Sequence, residues 1–205
     1  MQSSALEPVL AAFDFGGAVL SSTGMGHIHD TFVVAPDAQR WVLQRINLGV
    51  MGDPARLMAN ALLTSACVAA VGGAPLDYRR ARDGEPFHVD DHGAAWRSYA
   101  YVTGEITARP ERADDARAIG YGFGAFDSAL AMRDPADWHT VIEGYHDHER
   151  RFTDLTAAVS ADVADRGSSC SADIDAVHEL IEAVRVTEEY AAWHEAPRRI
   201  AHHDA

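Results

Sequence analysis

The periodicity of apolar residues changes once along this chain, near Thr103-Gly104, and that change restricts the fold more than any other feature. Upstream, short β-rich runs dominate: Ala18-Val19-Leu20, then His27 to Val34 leading to a Pro36-Asp37 turn, then Trp41 to Ile46. Phe87 to Val89 and Trp96 to Val102, separated by Asp91-His92-Gly93, read as a hairpin. One helix interrupts these strands. Asp53 is its N-cap and Pro54 its first helical residue. Leu57, Met58, Ala61, Leu62, Cys67 and Val68 supply its apolar side, and Gly72-Gly73 ends it.

Downstream of Gly104 the spacing is helical. Ile119, Phe123, Phe126 and Leu130 recur at helical intervals. So do Phe152, Leu155, Val159 and Val163, and then Ile174, Val177, Ile181 and Val184, with a loop at Arg166 to Ser169 between the last two sets. A β-rich piece with one helix followed by a helical piece predicts an α+β chain of two lobes, residues 1–104 and 105–205. Ile174, Val177, Ile181 and Val184 are expected to form an exposed apolar face on the helical lobe.

Composition narrows the partners. The net charge of −14 argues against a nucleic-acid backbone and against anionic membrane surfaces, both of which need a basic face. The N-terminus carries no basic segment leading into a long apolar one, so no signal peptide and no membrane span is expected. Two cysteines occur, Cys67 and Cys170. A disulfide between them is one reading; the other, two unpaired thiols with Cys67 in a helix core, fits a reducing cytoplasm. A cytoplasmic protein is the expectation.

Three groups of residues have the makings of a site. Gly24-Met25-Gly26 between two strands lets backbone amides approach a phosphate, although glycines in a hairpin are usually only a turn. Gln44 and Arg45, adjacent on a strand, face opposite sides of the sheet, so one is free to point at a ligand. Arg198-Arg199-Ile200 running into His202-His203-Asp204 reads as a strand entering a catalytic loop, with a frayed polar terminus as the plain alternative. A loop holding a carboxylate for chemistry needs scaffold on both sides, and on that ground the chain is expected to be the front part of an enzyme. The eleven histidines raise a metal reading, but His146, His148, His194, His202 and His203 do not fall at the helical i, i+4 spacing of a zinc pair.

The order of these parts carries a resemblance. Gly26-His27-Ile28-His29-Asp30-Thr31-Phe32 matches a Gly-His-Ile-Asn-Asp-Thr-Phe pattern, and Val42-Leu43-Gln44-Arg45-Ile46-Asn47 a third-strand signature. Asp53-Pro54 with Leu57-Met58-Ala59-Asn60, Trp96-Arg97-Ser98-Tyr99, Gly144-Tyr145-His146-Asp147 and Pro197 to Asp204 support it. The chain resembles the aminoglycoside phosphotransferase-like family of the protein-kinase-like fold, in its N-acetylhexosamine 1-kinase branch, from about Phe15 to its end. The resemblance implies ATP and Mg2+ as cofactors and transfer of a phosphoryl group to the hydroxyl of a sugar acceptor. It implies that Gly24 and Gly26 cover the phosphates, that Gln44 and Arg45 lie near them, and that Tyr101, Val102 and Thr103 read adenine through their backbone. Asp204 would orient and deprotonate the acceptor hydroxyl, and His202 would hold the loop's shape.

Departures from the family pattern shape further expectations. Gln44 stands where many kinase-like enzymes carry a phosphate-binding lysine, so Arg45, another cation or Mg2+ must supply the charge. Asn60 stands where the partner glutamate would be, and a Gln44–Asn60 hydrogen bond is expected. His29 and His203 replace asparagines of the branch. The family's metal-binding asparagine and aspartate have no counterpart, so the 205 residues are expected to turn nothing over by themselves. The competing reading is a non-catalytic nucleotide-binding or interaction module of the same fold, and a third is a histidine-based metal binder.

Overall fold

The computed structural model describes residues 6–16, 19–22, 28–104 and 109–200. Two compact units separate, one centred on a sheet and reaching Ile142, the other Glu143–Arg198. The architecture is α+β: an N-terminal antiparallel sheet followed by helices.

The sheet uses β1 (Val19–Ser22), β2 (Asp30–Ala35), β3 (Trp41–Arg45), β4 (Tyr78–Arg79), β5 (His88–Val89) and β6 (Ala95–Ala100). Its order is β1-β2-β3-β6-β4, and β5 shares the far edge of β6 with β4. The expected Pro36-Asp37 turn joins β2 to β3, with the Asp37 carboxylate accepting from the Gln39 amide at 2.8 Å. The expected hairpin is β5–β6. Asp90 organises its turn: one carboxylate oxygen accepts from the amides of His92 and Ala94, the other from the Trp96 indole at 2.8 Å.

Three helices, not one, accompany these strands: α1 (Glu7–Ala12), α2 (Leu48–Met51) and α3 (Pro54–Ala70). The helix read from the sequence is α3. Asp53 caps it through the Ala55 amide, and it stops at Gly72, whose φ of +77° lies in the left-handed region that favours glycine. Met58 and Cys67 are its buried residues, and Cys67 and Cys170 are both free thiols.

Helix α1 was not read from the sequence, and it packs on the core of the sheet. Leu6, Val9, Leu10 and Phe13 recur on one face, and with Phe15 they cover Phe32, Val34, Trp41, Leu43 and Trp96 of the sheet. Phe13 stacks on Phe15 at 6.2 Å, and Phe15 tilts against Trp41 at 5.9 Å. Arg79 ties the helix exit to the sheet: its Nε donates to the Phe13 carbonyl at 2.7 Å and its guanidinium lies over the Phe15 ring.

Helix α4 (Ala113–Leu130) completes this unit, burying Ala129 and Leu130. After it, Asn60 and Thr64 of α3 clip down the chain at Trp138 and His139. The Asn60 side chain both donates to and accepts from the His139 backbone, and the Trp138 indole donates to Thr64 at 3.0 Å.

The second unit contains α5 (His148–Ala161), α6 (Ser171–Arg185) and α7 (Glu188–Glu195). The Glu149 carboxylate of α5 accepts from the Arg185 guanidinium of α6 and from the Tyr190 hydroxyl of α7, so one carboxylate joins all three helices. None of this unit's residues with a described exposure is buried. The apolar face expected on α6 is present: Val177 and Val184 are exposed, Ile174 and Ile181 half-buried, and Leu180 extends the face.

Burial alone would raise the Asp90 pKa, but the hydrogen bonds from Trp96, Ala94 and His92 win and hold it below the usual carboxylate value. A depressed carboxylate stabilises the fold above its unfolded pKa, and that contribution is lost as pH falls through the folded value. Wild type is therefore expected to lose more stability than Asp90→Asn between about pH 5 and pH 2. Thermal unfolding midpoints of the two proteins across that range check it; parallel curves would remove the role.

Candidate functional site

Register brings together residues that are far apart in the sequence. Thr31 on β2 lies opposite Gln44 on β3, and Gln44 lies opposite Arg97 on β6. Phe32, Leu43 and Ser98 form the next row and point to the other face, since side chains alternate along a strand. The sheet thus has an apolar face under α1 and a face carrying Thr31, Gln44 and Arg97 in line.

These three side chains are bonded into one unit. The Gln44 amide nitrogen donates to Thr31 Oγ1 at 3.0 Å, which turns its carbonyl oxygen toward β6. Arg97 donates to that oxygen twice, from Nε at 2.9 Å and from Nη2 at 2.7 Å. Gln44 is only 8% exposed, so its polar ends need these partners. The expected Gln44–Asn60 bond does not form, because both side chains are committed elsewhere: Gln44 to Thr31 and Arg97, Asn60 to the His139 backbone.

Arg97 is half-buried and, among the described residues, makes no ion pair. Its titratable neighbours are neutral at pH 7. Tyr78 and Tyr99 have raised pKa values because burial disfavours the phenolate, an effect the Arg97 charge only partly offsets. His29 has a lowered pKa, first from burial and then from Arg97, with Asp30 opposing. Its neutral ring accepts the Asn47 amide at Nδ1, 3.1 Å away. The arrangement is a positive charge held in a neutral surround, which suits an anionic ligand.

Arg45 is placed differently. It sits on the other face, pairs with Asp30 at 3.4 Å, and both side chains are about half exposed or more. A polar cavity of about 440 Å3 opens beside this pair, lined in part by Ile28, Asn47, Gly49 and His92. Tyr101 donates its amide to the Arg40 carbonyl while the Arg40 guanidinium lies over its ring at 4.0 Å. Val102 and Thr103 follow, exposed and without regular structure. Gly24, Gly26, His202 and Asp204 lie outside the described residues.

Sequence reasoning assigned no role to Thr31, His29 or Arg97. Trp96-Arg97-Ser98-Tyr99 was legible as a strand, but only the pairing of β6 with β3 shows that Arg97 faces Gln44. Among the described residues, no three His, Cys, Asp or Glu side chains converge to hold a metal ion. No described helix is long and apolar enough to cross a membrane. No protein-family model matches the chain.

Proposed function

We propose that this chain carries the nucleotide-binding part of an ATP-dependent phosphotransferase of protein-kinase-like fold, acting on a sugar hydroxyl, with an N-acetylhexosamine at its anomeric position as the favoured acceptor. The observation that carries the reading is the guanidinium of Arg97, held by Gln44 on the polar sheet face without a carboxylate partner among the described residues. Gln44 is the position that the family resemblance puts next to the nucleotide phosphates. The succession of antiparallel strands, the capped helix α3 and later helices agrees with the order that the resemblance requires.

In such a reaction the acceptor oxygen bonds to the γ-phosphorus, the bond to the bridging oxygen breaks, and ADP leaves with its electron pair. The acceptor's proton goes to the Asp204 carboxylate, and His202 holds the loop. Mg2+ in this chemistry offsets phosphate charge. Among the described residues no three His, Cys, Asp or Glu side chains converge to hold it.

The test is calorimetric titration with ATP, ADP and adenosine, with 31P NMR of mixtures containing ATP, Mg2+ and N-acetylglucosamine or N-acetylgalactosamine. ATP binding that ADP competes for is the expected result for these 205 residues, with sugar 1-phosphate formed only in a longer form that supplies the family's metal-binding asparagine and aspartate. Asp204→Asn is then expected to lower transfer by roughly 10²–10⁴, the worth of a positioned base, with little change in ATP binding. Absence of any binding to the three adenine compounds would remove the reading. Binding without transfer in that longer form would favour the non-catalytic nucleotide-binding module instead.

A further inference from the structure

We infer that Arg97 is the cation that grips a di- or triphosphate group on this sheet face, so that the phosphate-binding charge comes from β6 and not from β3. The inference rests on the nucleotide reading for the identity of the ligand, but the anion site itself stands on geometry.

A guanidinium has five N–H donors in a planar fork, and two of Arg97's are spent on a single oxygen of Gln44. Three remain for another acceptor. A neutral amide orients the fork without cancelling its charge, and taking a charge partly out of water is costly unless an opposite charge arrives. No protein carboxylate does this among the described residues, and burial keeps Tyr78 and Tyr99 from becoming anionic. Arg45, the cation that the sequence offered beside Gln44, already faces Asp30 on the other side of the sheet. A forked donor matches phosphate oxygens in pairs, which a point charge does not.

Gln44 then has a definite task. Its amide is locked by Thr31, so its carbonyl oxygen faces Arg97 and accepts from two positions of the fork. A lysine at this position would place a second cation beside Arg97 and repel it. The glutamine is compatible with a cation on β6 where a lysine is not.

The experiment compares wild type, Arg97→Met and Arg97→Lys in binding to ATP, adenosine and inorganic tripolyphosphate. Arg97→Met is expected to weaken ATP and tripolyphosphate about ten- to a hundredfold, the worth of charged hydrogen bonds, while adenosine binding holds. Arg97→Lys should lie between. In wild type, the 1H–15N signal of Arg97 Nε should shift as tripolyphosphate is added, a readout that needs no variant. Unchanged ATP and tripolyphosphate affinity in a folded Arg97→Met protein, or an Nε signal that stays fixed at saturation, would overturn the inference and leave the nucleotide reading intact. An equal loss of adenosine and ATP would mark a purely structural role and also overturn it. Tripolyphosphate binding through Arg97 with no binding of adenine compounds would uphold the anion site and sink the nucleotide reading.

Discussion

Phe13→Ala is expected to destabilise the sheet-centred unit by about 3–5 kcal/mol, the range for removing a large aromatic ring from a packed core. Phe13 is 0% exposed, stacks on Phe15 and meets the His88 ring edge-on at 6.5 Å. Removing the ring leaves a void between the exit of α1 and the sheet, and its neighbours are themselves large rings that cannot easily collapse into it. Urea unfolding followed by tryptophan fluorescence measures the loss, because Trp41 and Trp96 lie in the same core. Met132, which is 94% exposed, provides the control: Met132→Ala should change stability by less than about 0.5 kcal/mol. Equal effects at the two positions would mean that α1 does not cover the sheet.

Gln44→Leu is the second large effect, about 1–3 kcal/mol, because it strands a charge without removing it. The leucine fills a similar volume, but Arg97 loses the oxygen that accepts both of its hydrogen bonds. The paired change Gln44→Leu with Arg97→Leu should cost less than the two single changes added together, since no cation is then left without a partner. Urea unfolding of the four proteins in the cycle gives the coupling. Strict additivity would show that the Gln44–Arg97 bonds contribute nothing to the fold.

Much of the sheet was legible because alternation is a strong local signal. Strands β2, β3 and β6 and the capped helix α3 fall where the pattern places them, with Asp53 and Pro54 opening α3 as their types require. Helix α1 is a different case. Its six residues are too few to hold a helix in water, so its stability comes from burying Val9 and Leu10 against a sheet formed later in the chain. The spacing of Leu6, Val9, Leu10 and Phe13, with Pro8 in the first turn, was the available sign. The short helices α2 and α7 have side-chain caps instead, Asn47 accepting from the Gly49 amide and Thr187 from the Tyr190 amide.

The polar row was hidden for a geometric reason. Thr31, Gln44 and Arg97 are separated by 13 and 53 residues, and they meet only because three strands pair in a particular register. Local pattern places each residue on a strand but does not say which strand lies beside which. The expected Gln44–Asn60 bond failed for that reason: it paired the strand with the helix next in sequence, while the better partner was on β6, the sheet neighbour of β3.

The helical unit Glu143–Arg198 has a consequence of its own. Its helices meet at the Glu149 carboxylate and through ring contacts of His148 with Trp193 and Phe152 with His178, and no residue with a described exposure is buried. Segments that bury few residues open locally at little cost, and opening governs both amide hydrogen exchange and protease attack. Exchange should therefore erase the amide signals of α5, α6 and α7 long before those of β3, and the first cuts by a nonspecific protease should fall in that unit. For a cell that polices exposed chain, the helices of this unit are the expected point of attack, ahead of the sheet and its row of polar side chains.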